Sequence, residues 1–276
     1  PPLLGSGSRF ITASLVLGSM VLLVKGPAAF NVTWAQVRGA ATMGVTILGF
    51  SIGILSLALR YVPSGIAALI VSAMPLWIIF FRVRGGDRPS RLTLVGVGVG
   101  LLGLVLMLLP GGTAPVNGAS GSQVALWSVA IAFGSFSWAF FSFRSTRIEQ
   151  PKEPLTTAVI ELLAAGVFLC IVGALIGERW DFGAITQQSW AGWGYLVLAS
   201  ATAYGAFVWL LNNAPMSLLA TYAYVNPVVA VFLGFVILNE VVTSDVIVGL
   251  SIVVGGVVLV VSGERRTRLK LNEQPQ

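Results

Sequence analysis

The stretch LTLVGVGVGLLGLVLMLL, residues 92–109, contains no charged residue. A helix crosses the hydrocarbon of a bilayer with about 20 mostly apolar residues, so this segment reads as a membrane-spanning helix. Working outward from it, eight more runs of the same kind appear, bounded by charges, prolines and glycines. Together the nine expected spans cover 3–24, 35–59, 64–81, 92–109, 123–143, 155–177, 190–211, 217–238 and 245–262. Arg60, Pro63 and Ser64 leave only a tight turn between the second and third, and no connection is long enough to hold an inserted soluble domain. The fold class is an all-α polytopic membrane protein.

The composition agrees. Of 276 residues, 56% are hydrophobic and only 9% charged, against about 25% charged in soluble domains. Most of the surface therefore faces lipid. The absence of histidine excludes Ser-His-Asp hydrolysis and the common zinc sites, and one cysteine, Cys170, forms neither an internal disulfide nor a CxxC pair. No metal and no cofactor are expected.

The net charge of +6 would suggest nucleic acid as a partner, but the positions of the basic residues contradict that. Lys25, Arg38, Arg82, Arg84, Arg88, Arg91, Arg144, Arg147, Lys152, Arg265, Arg266, Arg268 and Lys270 all fall on one side when the connections alternate; they are 13 of the 16. Arg60 and Arg179 fall on the other. Lys and Arg prefer the cytoplasmic face, which puts the carboxyl terminus in the cytoplasm and the basic charge beside anionic lipid.

The chain also resembles itself. Pro2, Pro63 and Pro75 return as Pro154, Pro215 and Pro227, each 152 residues on; past one inserted residue, Asp87, Gly96 and Gly103 return as Glu240, Gly249 and Gly256 at 153. On that offset the partner of the run at 123–143 would lie before Pro1. The expectation is a protein of two five-helix halves whose first helix is not in this chain. Five is odd, so the halves enter the membrane in opposite orientations, an arrangement that places a binding site near the midplane between them.

At this point the residues resemble a known family. PPLLGSGSRF at 1–10, VPSGIAALIVSAMPLW at 62–77, GSFSWAFFSFRSTRI at 134–148, IELLAAG at 160–166 and TYAYVNPVVAVFLG at 221–234 are similar to the drug/metabolite transporter superfamily, its EamA-type branch, and within it the YedA-type exporters. The resemblance implies ten helices in two EamA repeats, a bacterial inner-membrane location, and a central cavity for a small-molecule substrate. The repeats would occupy 1–109 and 123–262, joined by a loop at 110–122 and followed by a basic cytoplasmic tail at 263–276.

Glu161 is the most informative single residue. It sits about 9 Å into its span if the helix starts near Leu155, and a carboxylate there costs roughly 2.5–3.5 kcal/mol on insertion scales, so it faces a cavity or a partner. It would bind a substrate amine or carry a proton; the competing reading is an ion pair with Arg144, Arg147 or Lys152. Arg9 is its counterpart at the 152 offset, suited to an anionic group or else to snorkelling toward the headgroups along its aliphatic stem. Pro75 and Pro227 kink their spans by removing a helical hydrogen bond, and the freed carbonyls need a protein or water partner. Asn226, Tyr222, Trp77, Trp138, Tyr204 and Phe50 lie at similar depth and complete the candidate pathway; aromatics there equally suit packing.

Asp87 and Glu240 read as helix-dipole partners, with Ser90 and Ser244 as N-caps. The GxGxxG match at Gly98, Gly100 and Gly103 lies inside a charge-free span and reads as small-residue helix packing. Trp180, Trp190 and Trp193 read as interfacial anchors. The expected function is a secondary transporter, an exporter of small amphipathic or amino-acid-like molecules by alternating access, with proton coupling through Glu161. A non-transporting or lipid-translocating membrane scaffold and an integral-membrane enzyme are the alternatives.

Overall fold

The computed structural model of the chain describes residues 1–86, 89–108, 118–215, 219, 222, 225, 229 and 244–272. All its regular structure there is helical: α1 (Pro2–Lys25), α2 (Trp34–Met43), a π-helical stretch Gly44–Phe50, α3 (Ser51–Ala58), α4 (Ser64–Ser72), α5 (Met74–Arg84), α6 (Arg91–Leu108), α7 (Gly121–Arg144), α8 (Pro154–Leu175), α9 (Gln187–Asn213) and α10 (Ser244–Asn272). Among the described residues seven segments are long and apolar enough to cross a membrane, α2 to α3 counting as one and Ile66–Arg84 as another. The 92–109 run is helical over Arg91–Leu108. The run at 217–238 lies outside the described residues.

Helix starts follow local chemistry. Thr33 and Gln36 form a reciprocal capping box before α2, Thr186 accepts from the Ser189 amide before α9, and Ser90 accepts from the Thr93 amide before α6. Each satisfies an amide the helix leaves open. Gly26 and Gly177, at φ 76° and 82°, end α1 and α8 in a backbone region that glycine enters without strain.

Two features depart from the sequence reading. The run at 35–59 is helical but widens into a π turn over Gly44–Phe50, where Gly44 and Gly49 lie directly against α8; a Cβ on Gly49 would stand 2.8 Å from Phe168 Cδ1. The expected tail at 263 does not start there either. α10 continues to Asn272, since Glu264 is buried and pairs with Arg82 at 3.1 Å.

The chain divides into two compact units, Pro1–Leu57 with Phe141–Ala214, and Ala58–Phe140 with Pro215–Gln276. In the first, α1 runs antiparallel to α8. A Cβ on Gly7 would meet Cys170 Sγ at 2.6 Å and the Gly166 carbonyl at 2.8 Å, one on Gly18 would meet Val159 at 3.4 Å, and Ser14 donates to the Val159 carbonyl at 2.9 Å. Both ends of the pair are tied by carboxylates: Glu178 accepts from the Leu3 and Leu4 amides at 3.0 and 2.8 Å, and Glu153 takes Lys25 Nζ at 2.6 Å. A carboxylate at a helix amino terminus is favoured by the dipole.

The second unit is built around α6 and α10, also antiparallel. A Cβ on Gly96 would lie 2.8 Å from the Gly256 carbonyl, and one on Gly103 2.7 Å from the Gly249 carbonyl. With no hydrophobic driving force between helices in lipid, such glycine-to-backbone contact is what packs them. α5 lies on α7 through Trp77 and Phe81, both edge-on to Phe136 at 5.3 and 5.2 Å.

The contacts are reciprocal on the sequence offset. Gly7 maps to Val159, Ser14 to Gly166 and Gly18 to Cys170, so the Gly7·Gly166 and Gly7·Cys170 contacts map onto Ser14·Val159 and Gly18·Val159. In the second unit Gly96·Gly256 maps onto Gly103·Gly249.

Candidate functional site

Glu161 lies two turns into α8 and is 3% exposed. Three segments enclose it. Tyr204 of α9 donates its hydroxyl to Glu161 Oε2 at 2.9 Å, and Gln150, from the loop before α8, donates Nε2 to Oε1 at 3.4 Å. Gly44, the first residue of the π stretch, lies against the Glu161 backbone, with an added Cβ only 2.5 Å from Glu161 Cα. The Tyr204 ring is buried and stacks on Phe207 at 5.7 Å, which fixes the direction of its hydroxyl.

The competing ion-pair reading is corrected by this geometry. Neither Arg144, Arg147 nor Lys152 pairs with Glu161; its partners among the described residues are two neutral donors. A buried carboxyl group with no cation beside it among the described residues is a place for a proton or a cationic ligand, because an uncompensated buried charge is expensive. That is the chemistry the site offers.

The other candidates scatter. In the first unit, the Arg9 guanidinium lies 4.5 Å over the ring of Phe10 with Nε buried and unbonded, and no ion pair joins it to Glu161. Phe50 ends the π stretch, half-buried. In the second unit the helix breaks at Ala73 (φ −74°, ψ −2°), two residues before Pro75; Tyr222 donates to Met74 Sδ at 3.5 Å beside that break. Trp77 packs on Phe136 and Trp138 is half-buried on α7. Asn226 and Pro227 lie outside the described residues, as do Asp87 and Glu240.

Of the sequence candidates, then, Glu161 and Tyr204 are brought into contact, and Gln150 and Gly44 join them unforeseen. The π-helical turn, a frequent mark of functional sites, is invisible in the sequence because its residues are ordinary helix-compatible ones. At the opposite end of α8, Trp180, Trp190 and Trp193 do more than mark an interface. With Phe182, Arg179 and Ser8 they line a cleft of about 730 Å³, in which Trp193 Nε1 donates to Ser8 Oγ at 3.2 Å.

Two measurements test the enclosure. Tyr204→Phe is expected to lower the stability of the detergent-solubilised protein by about 1–3 kcal/mol, the loss of a hydrogen bond to a buried acceptor, read as a drop in thermal midpoint. Gly44→Ala is expected to cost at least as much, because the clash is with backbone and the overpacking penalty is about 1–3 kcal/mol; Gly18→Ala, at 3.4 Å from a side-chain methyl, serves as the tolerated control.

The profile of the EamA-like transporter family matches residues 1–109 and 125–262. The chain is 36% identical over 267 residues to a protein of Escherichia coli K12 named an uncharacterized inner membrane transporter, YedA, covering 96% of this chain and 83% of that one. It is 28% identical over 257 residues to the threonine/homoserine exporter RhtA of the same organism, covering 90% and 80%. A crystal structure at 20% identity superposes with a TM-score of 0.77, covering 95% of this chain and 89% of the other, which speaks for the fold alone.

Proposed function

The chain belongs to the EamA-like transporter family, and from that premise we propose that it is a secondary transporter exporting small amino-acid-like or amphipathic molecules by alternating access, with Glu161 as its proton- or cation-binding group. The observation that carries the coupling role is the Glu161 carboxyl, 3% exposed, held by Tyr204 and Gln150 and, among the described residues, by no cation. In a span, ionisable groups placed this way mark ion and proton pathways.

Support for two inverted halves comes from the reciprocal contacts. When residue i touches the counterpart of j, and j touches the counterpart of i, two like modules meet about a two-fold axis. Helices α1 and α8, and α6 and α10, are counterparts on the offset and run antiparallel, as opposite insertion requires. The division into repeats at 1–109 and 123–262, the substrate path past Arg9, Phe50, Trp77, Trp138, Tyr222 and Asn226, the hinges at Pro75 and Pro227, and a cytoplasmic carboxyl terminus belong to this same proposal. The amino-acid-like substrate class rests on the name of the RhtA relative.

The reading is of a transporter and not of an enzyme, and it has a direct test. Full-length protein in proteoliposomes is given a pH gradient and a panel of labelled amino acids that includes threonine and homoserine. Saturable uptake of at least one, lost on collapsing the gradient, is the expected result. Gradient-independent flux would remove the coupling role, and no flux across the panel would remove the substrate class.

A further inference from the structure

The cleft past the end of α8 lies wholly within the first unit, and the reading of Glu161 makes no use of it. The segment that forms one side of it is fixed in place. Gly177, at φ 82°, turns the chain out of α8, and the Glu178 amide donates to the Gly173 carbonyl at 2.9 Å. The Glu178 carboxylate in turn holds the Leu3 and Leu4 amides of α1, and Thr186 caps α9 at the other end of the connection. Residues 179–185 are thus tied to helices at both ends, and they bring Arg179, Trp180, Asp181 and Phe182 to the cleft.

Two pairs of rings shape its walls. Trp180 and Phe182 stack at 5.6 Å with their planes 13° apart, whereas Trp190 and Trp193 meet at 5.8 Å and 82°, so the two indoles form a corner. The Trp193 ring is held in place: its Nε1 donates to Ser8 Oγ at 3.2 Å, and the Ser8 hydroxyl gives its own proton to the Gly5 carbonyl at 3.0 Å. Phe182 and Trp190 are 66% and 47% exposed, so ring surface is open to a ligand. Such faces attract apolar groups and cations alike. Among the rings stands one group of each sign. Arg179 forms no ion pair among the described residues, and its planar fork matches a carboxylate. Asp181, with lone pairs on two oxygens, can accept from an ammonium beside its other contacts. The volume of about 730 Å³ falls in the range of about 300–1,000 Å³ usual for small-molecule sites.

The cleft is separate from the carboxyl of Glu161. Trp193 and Tyr204 share a face of α9 eleven residues apart, which is three turns and about 16 Å. On that face between them Val197 and Ala201 are buried.

We propose that this cleft binds a free amino acid with a large apolar or aromatic side chain. The carboxylate lies on Arg179, the ammonium between Asp181 and the ring faces, and the side chain in the corner of Trp190 and Trp193. Opposite charges on one carbon with an apolar group beside them match a cleft that offers a cation, an anion and rings together. A zwitterionic phospholipid matches it less well, because its chains lie beyond the phosphate, away from the ammonium. The inference rests on the transporter reading for its purpose, as a second station for substrate at the end of the unit opposite Glu161, and it narrows the substrate class.

The test measures binding alone. Radiolabelled L-phenylalanine is titrated by scintillation proximity onto the full-length protein in phosphatidylglycerol nanodiscs, with no gradient. Saturable binding is expected, and L-alanine should compete at least about tenfold more weakly, having no large group to bury. Arg179→Gln should weaken phenylalanine at least about tenfold, the loss of a hydrogen bond between charged groups. The same change should leave phenethylamine, which has no carboxylate, within about twofold, a difference that a folding defect does not produce. Trp190→Ala should weaken both ligands, and Trp34→Ala, 77% exposed on α2, neither. Absence of saturable binding would overturn the proposal. So would binding that is lost in Glu161→Gln but unchanged in Arg179→Gln, which would move the ligand to that carboxyl. Loss of binding when phosphatidylethanolamine is added to the nanodisc would assign the cleft to a lipid head and overturn it too. Because no gradient is applied, failure here leaves the coupling role of Glu161 standing, and gradient-independent flux leaves this site standing.

Discussion

Glu161→Gln in the full-length protein is expected to reduce gradient-driven flux by at least about tenfold, within the 5–150-fold range that a coupling free energy of 1–3 kcal/mol commands, while the protein stays folded. The substitution is nearly isosteric. Tyr204 Oη can still donate to the amide oxygen at the position now taken by Oε2, 2.9 Å away, and Gln150, which now donates to Oε1, keeps its bond by turning its amide over so that its oxygen accepts from the new NH2 group. What disappears is the ability to exchange a proton or to balance a cation. Exchange that needs no net proton movement, measured as counterflow with equal substrate on both sides, should be much less affected. Arg9→Gln provides the contrast: its Nε makes no hydrogen bond, so the fold should tolerate the change, and any loss of flux reports on the pathway. Unchanged driven flux in Glu161→Gln would take the coupling role away from this residue.

Gly256→Val is expected to yield little folded protein. A Cβ at position 256 would stand 2.5 Å from the Gly100 amide nitrogen, 2.7 Å from its Cα and 2.8 Å from the Gly96 carbonyl. All three are backbone atoms of α6, so no rotamer change relieves the contact and the helices must separate. Overpacking of a core costs about 1–3 kcal/mol where side chains can shift; here they cannot, and the loss should reach or exceed the top of that range, a large part of a typical stability of about 5–15 kcal/mol. Gly255→Val, one residue away with open space around its Cβ, should be well tolerated. Fluorescence-detected size-exclusion chromatography of the two variants side by side separates the outcomes, and equal monodisperse yield for both would contradict the packing of α6 on α10.

How much of this was readable beforehand differs by residue. The spans follow from composition, because lipid demands about 20 apolar residues whatever their order. The prolines and glycines on a 152 to 153 offset were visible because backbone constraints, unlike apolar side chains, are hard to substitute. Glu161 stood out as a charge in a span. Its partners did not: Gln150 sits in a polar loop like many others, and Tyr204 was one of several mid-span aromatics until α9 was seen beside α8. Glu264 was read as the start of a tail, since nothing local distinguishes it from the basic residues after it.

Order along the chain therefore determined that this protein lies in a membrane, roughly where it crosses, and that its prolines and glycines recur at a fixed offset, for these depend on solvent and on backbone geometry alone. Which carboxylates meet a cation and which, among the described residues, meet neutral donors was decided by the tertiary structure. Glu264 found Arg82, 182 residues away, and Glu161 found Tyr204, 43 residues away. The strength of a buried charge's interactions depends on what stands within a few ångströms of it, and only packing brings such distant residues that close.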